Sequence, residues 1–195
     1  EEAVGMLQSN QTVGIGIAAS EPVGLLGEMA KQAERLENVT LWTCLPMRAY
    51  DIFMQPEMDG HFFNENWFYG APDRKVHPEG RVSYTPNNLH LAAQDKLYGT
   101  GGKLNVFLGT CTPPNENGYV SISLGAVVER ELIDAADLVV LEVNRKLPWT
   151  EGDTVIPLSL ADYFVEYDTD LVTTGTDVPT EIEEKIGRFI ANYIE

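Results

Sequence analysis

The sequence predicts an α/β domain: a mostly parallel, twisted sheet flanked by helices in a Rossmann-like three-layer arrangement. Three observations carry that expectation. Short apolar runs alternate with segments whose apolar residues recur at a helical period, which is the pattern of βαβ units. The runs end in turns built from Gly, Pro, Asn and Ser. Residues 106–125, VFLGTCTPPNENGYVSISLG, show the plan in one stretch: a buried strand, a Pro-Pro break, an Asn-Glu-Asn-Gly turn, a short second strand and a Gly at the head of a helix. Such a polar loop belongs at the carboxyl edge of the sheet, where open α/β sheets place their ligands.

The elements follow in order. Glu1 to Gln8 reads as helical and leads into a strand over Thr12 to Ile17, whose Gly14 and Gly16 permit close approach of another backbone. Ser20 is the expected N-cap of the next helix, with Pro22 in its first turn, where a missing N–H is harmless. Leu25, Leu26, Met29, Ala33 and Leu36 recur with a period near ~3.6 and give that helix one buried face. Val39 to Cys44 is the second strand. A helix intervenes, so parallel pairing with the first is expected.

Residues 45–102 are cut by Pro46, Pro56, Pro72, Pro78 and Pro86 into short pieces. They read as one irregular region with a strand at Phe62 to Tyr69, a helix at Asn88 to Tyr98 and a glycine-rich end at 99–102. After Gly125, a helix is expected over Ala126 to Ala136 and a buried strand over Asp137 to Val143. Two short strands lie within 153–167, and 168–178 is a linker. The last helix spans Thr180 to Ile194. Thr180 and Glu183 form its capping box, and Ile182, Ile186, Phe189, Ile190 and Ile194 line one face. The whole of 1–195 is read as a single domain.

Composition narrows the function. The chain has 195 residues, 44% hydrophobic and 22% charged, which is a globular composition. Thirteen basic residues against 30 acidic ones leave a net charge of -17, so a nucleic-acid partner is not expected, because such binding depends on many Lys and Arg contacts to phosphate. No apolar run reaches the ~20 residues needed to span a bilayer, and no membrane partner is expected. Cys44 and Cys111 each lie in an apolar run and read as buried free thiols of a reducing compartment. No basic n-region followed by an apolar h-region is visible. A cytoplasmic location is the expectation.

Several familiar chemistries lack their residues. Gly14-Ile15-Gly16 opens a dinucleotide-like turn, but Ala19 stands where a third glycine would be and no acid closes the second strand, so the glycines read as packing devices beside a helix N-terminus open to anions. His61, His77 and His90 have no metal-ligand spacing, and no metal is expected. There is no G-x-S-x-G elbow. Glu116 in the Asn-Glu-Asn-Gly turn is the most conspicuous carboxylate. It either pairs with backbone N–H groups of its own turn or faces a substrate.

Pro113-Pro114-Asn115-Glu116-Asn117-Gly118-Tyr119-Val120-Ser121 resembles the P-P-x-E-x-G-Y-x-S signature of the acetyl-CoA hydrolase/transferase family, which includes 4-hydroxybutyrate, butyrate and acetate CoA-transferases. Further matching pieces occur in family order: Gly14-Ile15-Gly16 with Glu21-Pro22, Phe68-Tyr69-Gly70 with Arg74 and Val76, Glu142-Val143-Asn144 with Pro148 and Gly152, and Ile186-Gly187. The resemblance implies a CoA-transferase-like fold and an enzyme of two similar domains, of which this would be the N-terminal one. It implies coenzyme A as part of an acyl-CoA substrate, a small carboxylate as co-substrate, a C-terminal partner domain and a homo-oligomeric full enzyme. The family's glutamate nucleophile and its CoA-holding glycine loops belong to the second domain, and no residue here matches the nucleophile's motif.

Ser20, Glu21 and Pro22, then Pro114, Asn115, Glu116, Asn117 and Gly118, then Asn144, all lie on loops leaving carboxyl ends of expected strands. They are the expected wall of an active-site cleft. Arg74 is a candidate for holding a substrate carboxylate, with a surface ion pair as the other reading. An acyl-CoA hydrolase of the same family and a non-catalytic α/β binding module are the alternative functions.

Overall fold

A computed structural model describes residues 1–99, 102–173, 175 and 177–194. The chain opens with helix α1 (Glu2–Gly5) and strand β1 (Thr12–Ile15), then helix α2 (Val23–Lys31) and β2 (Val39–Thr43). Helix α3 (Asp51–Met54), β3 (Phe62–Asn66), α4 (Ala71–Val76), β4 (Val82–Tyr84) and α5 (Ala92–Gln94) follow. The second half holds β5 (Val106–Cys111), β6 (Tyr119–Ser121), α6 (Glu129–Ala135), β7 (Leu138–Val143), β8 (Val155–Pro157), β9 (Tyr163–Glu166) and α7 (Glu181–Ala191).

Seven strands make one sheet in the order β4-β3-β2-β1-β5-β7-β9, and every pairing in it is parallel. The expected parallel partnership of the first two strands is therefore present, with Val13 opposite Leu41. Side chains alternate across each strand, so one strand feeds both faces of the sheet. Val13, Ile15, Val39, Leu41, Val106 and Leu108 face Leu25, Leu26 and Met29 of α2 and Ile52 and Phe53 of α3. Trp42, Cys44, Phe107 and Leu141 face the opposite way, against Ala92 and Ala93 of α5 and Leu132 and Ile133 of α6. This is the three-layer arrangement that the alternating pattern predicts. Gly14 serves the second face: a Cβ there would stand 3.2 Å from Leu104 and 3.5 Å from Phe107.

Two local expectations need correction, and one expected strand finds its sheet. The strand after the Pro-Pro break, β6, lies outside the main sheet. It pairs antiparallel with β8 in a separate two-stranded sheet. The connection from Cys111 to Tyr119 is too short for a parallel crossover, which needs about a dozen residues, and the chain instead doubles back, Thr112 N–H donating to Ser121 O at 2.8 Å. Ser20 is not an N-cap. It closes a 3-10 turn at Ala18–Ser20, and α2 begins at Val23 with Pro22 in the N-cap position. The helix expected from Ala126 starts only at Glu129.

The irregular region 45–102 contributes β3 and β4 and so extends the sheet on one side. The expected helix over 88–98 is a 3-10 turn, α5 and a π-helical turn at Asp95–Gly99 in succession. The expected glycine-rich end at 99–102 includes Thr100 and Gly101, which lie outside the described residues. Helix α7 has the expected capping box, Thr180 Oγ1 accepting from Glu183 N–H at 3.3 Å and Glu183 Oε2 from Thr180 N–H at 2.7 Å. None of its residues is buried, and Ile182, Ile186, Phe189 and Ile190 are all exposed. Among the described residues, no helix is long and apolar enough to cross a membrane.

Candidate functional site

In a parallel sheet every strand ends on the same edge. Strands β1, β5 and β7 are adjacent, so the loops that leave them converge on one rim. Thr110 at the end of β5 donates its Oγ1–H to Ser20 O at 3.2 Å, and Asn144 N–H, just past β7, donates to Cys111 O at 2.9 Å. Ala18, Glu21, Thr110 and Asn144 line one small cavity there together with Arg48, Leu147 and the segment Thr169 to Val172. That segment lies along the rim: Asn144 Nδ2 donates to Thr169 O at 2.9 Å, and Arg48 Nη2 donates to Asp170 O.

Four buried carboxylates hold the rim loops in place. Glu129 of α6 is 2% exposed. Its Oε1 accepts from Ile17 N–H at 2.9 Å and Ser20 Oγ–H at 3.0 Å, and its Oε2 from Val127 and Val128 N–H at 2.9 and 3.1 Å. This explains the late start of α6, whose preceding N–H groups are already taken. Glu142 of β7 accepts from Leu25 N–H at 2.9 Å and so caps α2 from across the sheet, the place expected of Ser20. An anion at that end is favoured by the helix's own partial charge. Its Oε1 has no hydrogen-bond partner among the described residues, and burial pushes the carboxyl up to about 7.

Glu21 is the third. It accepts from Met47 N–H and Tyr50 Oη–H, both at 3.1 Å, and burial raises it to about 8. The same burial, with the nearby Glu21 charge, raises the Tyr50 phenol. Asp73 accepts from Gly70 N–H at 2.8 Å and Asn64 Nδ2–H at 3.3 Å, and burial raises it too.

The loop backbones are tight and locally strained. Ala18 and Leu45, just beyond β1 and β2, have φ of 51° and 52°, a conformation costly for residues with a Cβ and concentrated at functional sites. A Cβ on Gly16 would stand 2.4 Å from Ser20 O, and one on Gly70 2.1 Å from Pro46 O.

The remaining candidate residues are placed as follows. Pro114 to Gly118 leave β5 as an exposed turn closed by Asn115, whose Oδ1 accepts from Asn117 and Tyr119 N–H, both at 3.0 Å, with Gly118 at φ 77°. Asn115 therefore does the backbone pairing considered for Glu116. Glu116 is exposed and makes no hydrogen bond or ion pair among the described residues. Pro113 and Pro114 line a neighbouring groove with Val143, Arg145 and Phe164. Arg74 stands apart on α4, in an open groove with Phe68, Tyr69, His77 and Tyr84 near the β4 edge. The thiols of Cys44 and Cys111 are pushed up by burial, to about 11 and about 12. Among the described residues, no three His, Cys, Asp or Glu side chains gather as metal ligands.

The family model of the acetyl-CoA hydrolase/transferase N-terminal domain matches residues 1–174. The chain belongs to that family. Among curated relatives it is 27% identical to the 4-hydroxybutyrate coenzyme A transferase of Clostridium kluyveri over 100% of this chain and 45% of that protein. It is 29% identical to the succinyl-CoA:acetate/propanoyl-CoA:succinate CoA transferase of Fasciola hepatica, over 100% of this chain and 41% of that one. The chain thus spans less than half the length of these relatives. The crystal structure of RipA from Yersinia pestis superimposes with a TM-score of 0.85 at 23% identity, over 100% of this chain and 47% of RipA, which shows a common fold.

Sequence reasoning found Glu21 and missed Glu129, Glu142, Asp73, Arg48 and Tyr50. Glu142 carried a usable signal, a lone carboxylate inside the apolar run LVVLEV, since a charge there must be paired or neutralised. Glu129 carried none, because an acid near a helix start is ordinary.

Proposed function

We propose that this chain is the N-terminal half of a CoA-transferase that moves CoA between an acyl-CoA and a short carboxylate, and that its rim loops form one wall of the reaction chamber. The observation that carries the reading is the convergence of the Ala18–Pro22, Thr110–Gly118 and Asn144–Pro148 loops on one edge of a parallel sheet, in a chain matched end to end by transferases more than twice its length.

The chemistry divides between the halves. A glutamate carboxylate of the second domain attacks the thioester carbonyl of acyl-CoA, expelling CoA thiolate and leaving a mixed anhydride. The thiolate attacks the glutamyl carbonyl of that anhydride, which releases the first carboxylate and leaves a glutamyl-CoA thioester. The incoming carboxylate reverses both steps. Covalent relay replaces one difficult exchange by easier ones. What remains is positioning, stabilisation of the oxyanions and exclusion of water. A wall stapled by buried carboxylates and held in a strained backbone suits that role, because its groups need not reorganise during reaction. Water as acceptor would make the same apparatus an acyl-CoA hydrolase.

The test is exchange of labelled acetate into acyl-CoA by the chain alone and by the chain joined to its second domain. Exchange by the joined protein and none by the chain alone is expected. Saturable ligand binding by the chain, with no exchange in the joined protein, would favour a non-catalytic module.

A further inference from the structure

Helix α7 carries an apolar stripe that covers nothing. Ile182, Ile186, Phe189 and Ile190 recur on one face, each is more than half exposed, and none of the 11 residues of the helix is buried. A helix of that length is marginal in water on its own, and an amphipathic one draws its stability from a surface packed against its apolar face. The core described above is closed without it: Val4, Leu7, Leu26, Leu36, Leu41 and Leu108 are each at most 1% exposed.

The first residues of the chain show what such a helix does. Glu2-Ala3-Val4-Gly5-Met6-Leu7-Gln8-Ser9-Asn10 and Glu184-Lys185-Ile186-Gly187-Arg188-Phe189-Ile190-Ala191-Asn192 share Glu, Gly and Asn at the first, fourth and ninth positions and large apolar residues at the third and sixth. In the first occurrence the two apolar positions, Val4 and Leu7, are 0% and 1% exposed and sit in the core with Leu25, Leu26 and Met29 of α2 and Val13 of β1. Arg35 fastens this turn by donating to Val4 O and Leu7 O, and the chain then enters β1 at Thr12. In the second occurrence the same positions, Ile186 and Phe189, are 53% and 69% exposed. A repeated segment whose apolar positions are buried once and bare once implies a second core for the second occurrence.

Length agrees, because the chain covers 45% of the Clostridium kluyveri relative and leaves room there for as much chain again. The family model ends at residue 174, and Val172 still lines the rim cavity, whereas α7 begins at Glu181. We propose that α7 is the opening helix of the second domain, the counterpart of α1, and that its Ile186 and Phe189 pack into that domain's core as Val4 and Leu7 pack here. The boundary between the domains then lies between Val172 and Thr180, inside the span that the sequence suggests is a single domain. The proposal rests on the chain being one half of a longer protein, and it is the same whether a carboxylate or water accepts the acyl group.

The experiment compares the chain alone with the chain joined to its second domain. Hydrogen exchange on the two wild-type proteins needs no variant to fold: the α7 amides should be protected like core amides in the joined protein and exchange freely in the chain alone. Phe189→Ala should lower the Tm of the second domain within the joined protein by roughly 6–20 °C, the loss for emptying a buried phenylalanine site in a domain of this size. In the chain alone the same variant should shift Tm by no more than about 2 °C. Leu7→Ala, at the matching position, should lower the Tm of the chain alone by roughly 4–20 °C. Free exchange of α7 in both proteins overturns the proposal, as does a joined Phe189→Ala protein with wild-type Tm. Protection in the joined protein that disappears on dilution gives the face to a second copy of the protein and overturns it too. None of these readouts uses CoA exchange, so a joined protein that protects α7 but transfers nothing would sink the transferase reading alone.

Discussion

Glu129 offers the sharpest perturbation of the rim, because a single carboxylate holds the loop after β1 and the entry to α6 at once. Its four acceptor contacts go to three backbone N–H groups and one hydroxyl, in surroundings that leave the residue 2% exposed. Glu129→Gln keeps the shape and one acceptor oxygen. If the amide oxygen takes the Val127 and Val128 N–H groups, the amide nitrogen can donate to Ser20 Oγ, and only Ile17 N–H is left without an acceptor. One orphaned buried donor costs roughly 1–3 kcal/mol, and in a chain of this size each kcal/mol lowers Tm by about 2–4 °C. Glu129→Ala removes the acceptors of all four donors and opens a void beside Gly125, whose notional Cβ already lies 3.2 Å from the carboxylate. Its cost should exceed that of the glutamine variant by at least about 2 kcal/mol. Thermal unfolding with urea denaturation measures both. A glutamine variant as stable as wild type, or two variants of equal stability, would show that these contacts do not hold the rim.

Glu21 and Glu142 titrate at about 8 and about 7 in the fold, against about 4.3 for an unperturbed glutamate. Between those values the folded chain binds more protons than the unfolded chain, so stability should fall as pH rises, by a few kcal/mol at most across the interval from about pH 5 to pH 8. Glu142→Gln keeps an acceptor for Leu25 N–H and removes a buried charge, so urea unfolding should show a shallower decline and a more stable variant at the alkaline end; a wild-type slope in the variant refutes the assignment. Glu116→Ala should change stability by no more than about 0.5 kcal/mol, the usual range for a surface site without contacts, while lowering exchange in the joined enzyme; loss of both together would mark a structural turn. Gly70→Ala should be severely destabilising, since the new Cβ would meet Pro46 O at 2.1 Å; a folded variant with wild-type Tm would contradict the packing of the β3 loop. Thr180→Ala removes an N-cap worth about 1 kcal/mol, and because α7 buries no residue, circular dichroism should show lost helix with no shift in the main unfolding transition.

The fold was legible in the sequence because its central strands are nearly continuous apolar runs and its long helices have clear periods. DLVVLEV and VFLG could hardly be anything but buried strands, and α7 announced both its cap and its face. Strand β4 escaped because Val82–Tyr84 is three residues long, with only Val82 buried, too short for any periodicity. Where β6 pairs depends on tertiary contact with β8 and leaves no local mark. The rim was legible as loops and not as contacts. The carboxylates that staple it come from positions 109 and 117 residues away from the groups they hold, and such partners are set by the sheet order. Ser20 shows the limit well: it has the right chemistry for a cap, but α2 begins at Val23, two residues too late for it, and Glu142 occupies that role because β7 delivers it to the same end of the helix.

The most direct test of the proposed division of the active site is to trap the covalent intermediate that it requires. The joined protein is incubated with acyl-CoA, the glutamyl thioester is reduced with borohydride to the alcohol, and the modified peptide is located by mass spectrometry. The modification should fall on a glutamate of the second domain, with peptides from residues 1–195 unchanged. A reduced glutamate at Glu21, Glu116 or Glu142 would place the nucleophile in this half and contradict the assignment of its rim as a supporting wall.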